Sequence, residues 1–111
     1  MKDSSVPHKV KNKILVIIPA RGGSKEVPNK NIKKLKGIPL IVYTIREVLK
    51  LKKYYYKFIV STDSKKIARI SHKAGACVPF IRPKKLALDT TSTLPVLRHA
   101  LRYIENKDNI N

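Results

Sequence analysis

The 111-residue chain carries 25 Lys+Arg against 7 Asp+Glu, a formal net charge of +18, with 42% hydrophobic and 29% charged residues. That length holds one small domain or a piece of a larger one. Its apolar blocks exclude disorder throughout, and none approaches the roughly 20 residues of a membrane-spanning helix. The charge predicts attraction to polyanions: nucleic acid, anionic lipid or phosphorylated small molecules.

Residues 1–12 are polar, lack the apolar core of a secretory signal, and are expected to form a flexible leader. From Lys13 to Ile18 a β-rich apolar run without alternation, closed by Pro19 and the pair Gly22-Gly23, predicts a strand buried on both faces. Ala20 to Gly37 shows no apolar period and is expected as a long loop, a kind that in compact domains usually carries function. Pro39 opens a predicted helix to about Lys52, with Ile41, Ile45, Val48 and Leu49 on one face. Lys57 to Ser61 is the second strand. Asp63 or Ser64 is placed to cap the next helix, with Asp63 favoured as a cap over a metal or sugar ligand, and Gly75 to end it. Cys77 to Ile81 is a weaker third strand, expected to lie at an edge or to end early because Pro79 lacks a ladder donor. A polar loop from Arg82 to Thr93 precedes the last helix, capped by Ser92 or Thr93, in which Leu94, Leu97, Leu101 and Ile104 form the expected core stripe.

The order β-loop-α-β-α-β-loop-α implies an α/β fold with right-handed crossovers and a mostly parallel sheet. Such sheets are covered on both faces and usually have more than three strands. The chain is therefore expected to be the N-terminal half of a larger α/β domain, the alternative being a complete small domain stabilised by a partner. The single Cys77 excludes an internal disulfide and a cysteine metal cluster, suits a reducing cytoplasm, and is expected as a buried packing thiol. His8, His72 and His99 show no metal-ligand spacing and are expected at the surface. Tyr54-Tyr55-Tyr56 is expected to turn one or two rings inward.

Two loops carry possible chemistry. Ala20-Arg21-Gly22-Gly23-Ser24-Lys25 follows the first strand at its carboxyl end, where ligands of open α/β sheets bind. The glycines allow backbone N–H groups to approach an anion, Arg21 offers a forked contact to phosphate, and Lys25 and Lys30 add mobile charge. The spacing matches neither GxxxxGK[ST] nor GxGxxG; a solvated basic turn is the competing reading. The second loop, Arg82-Pro83 with Asp89-Thr90-Thr91-Ser92-Thr93, opens on the same sheet edge, and its hydroxyls precede a helix N-terminus suited to phosphate or ribose.

The block Ile18-Pro19-Ala20-Arg21-Gly22-Gly23-Ser24-Lys25 with Val27-Pro28-Asn29-Lys30-Asn31-Ile32 resembles the N-terminal signature of the CMP-sialic acid synthetases (acylneuraminate cytidylyltransferases). So do Gly37-Ile38-Pro39-Leu40-Ile41, Val60-Ser61-Thr62-Asp63, and Arg82-Pro83 followed by Leu86-Ala87-Leu88-Asp89-Thr90. The resemblance runs from Lys13 to Ile104. It implies a three-layer, Rossmann-like fold of the nucleotide-diphospho-sugar transferase type, here truncated, with 13–111 as the N-terminal nucleotide-binding half. It implies transfer of CMP from CTP to a nonulosonic acid with release of diphosphate, in the cytoplasm, by a full-length homodimer that needs Mg²⁺. By the family's pattern Arg21, Lys25 and Lys30 act catalytically on the triphosphate, while Ala20, Gly22, Ser24, Asn31, Arg82, Thr91 and Thr93 complete the nucleotide site. The metal ligands are expected outside this chain, and the chain alone is expected to be inactive. Glu26 stands where the family often has Gly, and Thr93 where it often has Ser.

The net charge motivates a competing reading, a basic nucleic-acid-binding module. The bases are spread over nearly every segment and no recognised nucleic-acid signature occurs, so nucleic acid is not the expected partner. A third reading is a subunit fragment that only pairs with another chain through an open sheet edge.

Overall fold

A computed structural model of the chain describes residues 14–23, 30–88 and 90–108. The leader, Ser24, Lys25, Glu26 and Asp89 lie outside the described residues. Strand β1 (Leu15–Pro19) leads, by way of a single 3₁₀ turn at Lys30–Ile32, to a short hairpin of β2 (Lys34–Leu35) and β3 (Ile38–Pro39). Helix α1 (Leu40–Leu49), strand β4 (Lys57–Ser61), helix α2 (Lys65–Lys73) and helix α3 (Thr93–Lys107) follow.

The hairpin corrects the expectation of a loop to Gly37. Lys36 and Gly37 have φ of 53° and 80°, the two successive positive angles that close a two-residue hairpin without splaying its strands. Strands of two residues are too short to show a period of two, so no pattern announced them. The hairpin delivers the chain into α1, whose first N–H donates to the Lys33 carbonyl at 2.9 Å.

β1 and β4 pair in parallel, Leu15 opposite Lys57 through Pro19 opposite Ser61. Parallel strands need both faces covered, and alternate residues supply the two faces. Val16, Ile18, Phe58 and Val60 pack with Ile41 and Ile45 of α1 and Ile67 of α2. Leu15, Ile17 and Ile59 pack on the other side against Ala100 and Ile104 of α3. The result is three layers, helices on both faces of a parallel pair, which is the expected α/β class.

The third strand shrinks to two isolated parallel bridges, Ile59 with Cys77 and Thr62 with Ile81. Pro79 sits between them without a donor, which keeps the ladder from running through. Because this edge is thin, Cys77 is exposed and not the buried thiol expected. Tyr55 is the inward ring of its triplet, buried edge-on to Phe58.

In α3 the buried row is Val96, Ala100 and Ile104, of which Ile104 belongs to the expected stripe. Leu94 and Leu101 are instead 54% and 45% exposed. The helix carries two apolar rows, and the leucine row, conspicuous in sequence, is not the one that meets the sheet. Pro95 fits because the first helical turn requires no N–H partner. Among the described residues no helix is long and apolar enough to cross a membrane.

Candidate functional site

The two loops singled out in sequence meet at the carboxyl ends of β1 and β4. Ala20, 1% exposed, extends the ladder by one bond, its N–H donating to the Ser61 carbonyl at 2.9 Å. The next turn is clamped from below. The Gly22 N–H donates to Asp63 Oδ1 at 2.9 Å, and a Cβ on Gly22 would stand 2.9 Å from the Ser64 Cβ. Asp63 therefore braces the glycine turn, whereas Ser64 caps α2, its Oγ accepting from the Ile67 N–H at 3.2 Å. Of the two capping candidates Ser64 holds the helix, and Asp63, expected as a cap over a metal or sugar ligand, is drawn across to the first loop instead. Asn31 closes that loop from the other side, its amide donating to the Arg21 carbonyl at 3.2 Å.

Arg82 enters from the second loop and is only 5% exposed. Its Nε donates to Ser61 Oγ at 3.0 Å, its Nη2 to the Ser61 carbonyl at 2.6 Å and its Nη1 to the Leu86 carbonyl at 3.2 Å. The Ser61 carbonyl thus receives both the first loop, through Ala20, and the Arg82 guanidinium. Thr91 shapes the remainder of the second loop, its hydroxyl accepting from the Leu88 N–H and donating to the Lys85 carbonyl, each at 3.2 Å.

Between these walls lies a cleft of about 370 Å³ lined by Arg21, Gly23, Asn31, Arg82, Thr91 and Thr93, with Ser92 and Leu88 at its margin. Five of the predicted site residues, Arg21, Asn31, Arg82, Thr91 and Thr93, therefore share one concavity. Ala20 and Gly22 lie in the scaffold beneath it, and the Gly22 N–H is already committed to Asp63. Lys30 starts the 3₁₀ turn next to Asn31. Ser24 and Lys25, expected in the site, lie outside the described residues. Ser61 was not legible as a site residue; its signal is positional, as the last residue of a strand whose carboxyl end opens on both loops.

Burial lowers the Arg82 guanidinium from its ordinary value, the Arg21 charge adds to that shift and Asp63 opposes it. An arginine stays protonated through such a shift. Among the described residues no carboxylate makes an ion pair with Arg82. Its charge is thus held by neutral carbonyls and a hydroxyl. The cleft opens at the N-terminus of α3, where Ser92 makes no side-chain capping bond, leaving helix-end donors facing the same space. No group of three or more His, Cys, Asp or Glu side chains that could hold a metal occurs among the described residues. The polar side chains of the described residues that line the cleft are guanidinium, amide and hydroxyl groups without a carboxylate, a set that does not fit a resident magnesium ion.

A family model described as "Cytidylyltransferase" matches residues 15–110. The chain belongs to the cytidylyltransferase family. Over 96 residues it is 45% identical to a CMP-N,N'-diacetyllegionaminic acid synthase of Legionella pneumophila, covering 86% of this chain and 41% of that protein. It is 39% identical over 98 residues to a pseudaminic acid cytidylyltransferase of Campylobacter jejuni, 88% of this chain and 42% of the other. Against an N-acylneuraminate cytidylyltransferase of Escherichia coli it is 41% identical over 92 residues, 83% of this chain and 22% of the other. The chain thus spans well under half the length of these relatives.

Proposed function

We propose that this chain is the nucleotide-binding portion of a cytidylyltransferase that activates a sialic-type nonulosonic acid with CTP, giving a CMP-sugar and diphosphate. The observation that carries the reading is the convergence of Arg21, Asn31, Arg82, Thr91 and Thr93 on one cleft, in a chain similar to three enzymes named for nonulosonic acid activation. In the reaction the anomeric hydroxyl oxygen of the sugar attacks the α-phosphorus, the bond from that phosphorus to the oxygen bridging it to the β-phosphorus breaks, diphosphate departs with the bridging oxygen, and the hydroxyl proton is released to water. Catalysis of this kind rests on positioning and on neutralising charge at the phosphate oxygens. Arg82, locked by Ser61 and Leu86, is the preorganised cation; Arg21 beside it is the forked contact; the Thr93 hydroxyl and the α3 terminus supply neutral donors, and Thr91, whose proton goes to the Lys85 carbonyl, shapes the wall beside them. Lys25 and Lys30 belong to the same triphosphate-binding role. Magnesium is the ion such chemistry uses, and its ligands are assigned to chain other than the described residues. The working enzyme is proposed to be a cytoplasmic homodimer.

Thermal-shift titration with CTP, ATP, GTP and UTP tests this reading. CTP should raise the melting temperature most, and Arg21→Ala should abolish the difference. Equal shifts for all four nucleotides, or none, would count against a cytidylyltransferase site. Tight nucleic-acid binding with a steep salt dependence would favour the basic-module reading instead.

A further inference from the structure

The 3₁₀ turn Lys84–Leu86 has two sides. Leu86 lines the nucleotide cleft on one of them and, on the other, a separate groove of about 570 Å³ against α3. The turn is fixed from the cleft side: the Lys85 carbonyl accepts from the Thr91 hydroxyl and the Leu86 carbonyl from Arg82 Nη1, each at 3.2 Å. Lys85 therefore lines the groove from an anchored backbone, and Arg98 and Arg102 line it from α3. The two arginines stand one helical turn apart, a like-charge pair that by itself disfavours a helix. Among the described residues none of the three cations makes an ion pair, and no carboxylate lines the groove; Glu105, three residues past Arg102, lies outside it. The positive field is felt by His99 on the same wall, whose pKa is lowered by burial first and then by the charges of Arg82 and Lys85. The remaining lining is largely apolar: Leu86, Pro95 and the ring of Tyr103, which packs 4.9 Å from the Phe80 ring.

We infer that this groove is a second anion site, distinct from the nucleotide cleft, for a phosphorylated small molecule whose phosphate meets Lys85, Arg98 and Arg102 and whose organic body lies against Leu86, Pro95 and Tyr103. Guanidinium groups take phosphate through forked, charge-assisted bonds, and a lysine adds a mobile point charge. A concavity of this size suits a small ligand, and its mixture of a few charges with apolar surface favours an organic phosphate over a bare inorganic ion. A single-stranded polynucleotide is disfavoured, because it needs stacking platforms for successive bases and the groove supplies little beyond Tyr103. The site stands on residues outside the cleft and does not depend on the CTP reading.

Chemical-shift mapping of the whole chain with phenyl phosphate tests it, in a background of Arg21→Ala so that the cleft contributes little. Saturable shifts should centre on Lys85, Arg98, His99, Arg102 and Tyr103, with binding about fivefold tighter than that of inorganic phosphate because the phenyl ring has a surface to pack on. R98E/R102E, placed on exposed side chains, should retain the circular dichroism of the parent and weaken binding about tenfold or more, the scale of a lost charge-assisted contact. K85E, from the opposite wall, should weaken it as well. R46E/K50E makes the same charge change on exposed residues of α1 across the sheet and should leave binding unchanged. Absence of saturation, equal affinity for phenyl phosphate and inorganic phosphate, shifts centred on the cleft, or equal weakening by R46E/K50E would overturn the inference. So would an oligonucleotide that occupies the groove more tightly than phenyl phosphate.

Discussion

Position 22 is held to glycine by what faces it across the loop. Gly22 has no left-handed φ, but an added Cβ would collide with the Ser64 Cβ at 2.9 Å, whereas a Cβ on Gly23 would meet nothing within 4 Å. Gly22→Ala should therefore cost about 1–3 kcal/mol, the range for overpacking a tight site, while Gly23→Ala should leave stability near that of the parent. Denaturation midpoints of the two variants check this, and equal midpoints would contradict it. His99 is the other informative residue. Expected at the surface, it is half-buried against Phe80, and its Nδ1 is buried without a hydrogen-bond partner. Burial first, then the charges of Arg82 and Lys85, lower its pKa from the usual 6.5. The unfolded chain then binds the proton more readily than the folded one, so stability should fall as pH drops through 6.5 towards the lowered value. His99→Phe should flatten that limb of a melting-temperature profile; an unchanged slope would contradict the assignment.

Helix α3 is fastened to the sheet at its far end by charge. Asp108 Oδ2 accepts from Lys57 Nζ at 2.6 Å and from the Tyr56 hydroxyl at 2.7 Å. The Lys57 bond first, and the Tyr56 bond next, hold the Asp108 carboxyl below its ordinary 3.8. The same bond raises Lys57 above 10.5. The carboxylate's contribution is present above 3.8 and disappears as pH falls through the lowered value; the lysine's is present below 10.5 and disappears as pH rises through the raised value. Asp108→Asn should remove the acid-side component and speed amide exchange in the last turn of α3 at neutral pH, where exchange identical to the parent would refute the fastening. The elements themselves were largely legible: β1 and β4 announce themselves as apolar runs, and α1 and α2 by helical spacing with Gly75 as a stop. The hairpin was not, since two-residue strands have no period. The inward row of α3 was legible at Ile104 but misjudged at the leucines, because Val96 and Ala100 are less conspicuous than the leucines beside them. Which of two apolar rows meets the sheet is decided by where the sheet lies.

At the scale of the molecule, the parallel topology brings together two loops some sixty residues apart in sequence, as Arg21 and Arg82 show. That convergence was legible, because both loops follow strands whose carboxyl ends face the same way. The burial of Arg82 and the role of Ser61 in holding it were not, because they depend on a carbonyl direction set by β4 pairing. Among the described residues Arg21 and Arg82 are the bases that line the cleft, so the net charge by itself said little about the site. The central claim is that this cleft takes one cytidine nucleotide, and chemical-shift mapping of the whole chain during a CTP titration tests it most directly. Saturable perturbations should centre on Arg21, Gly23, Asn31, Arg82, Thr91 and Thr93 and exceed those produced by UTP. A titration that leaves these residues unmoved, or that moves a basic helix face instead, would contradict the account.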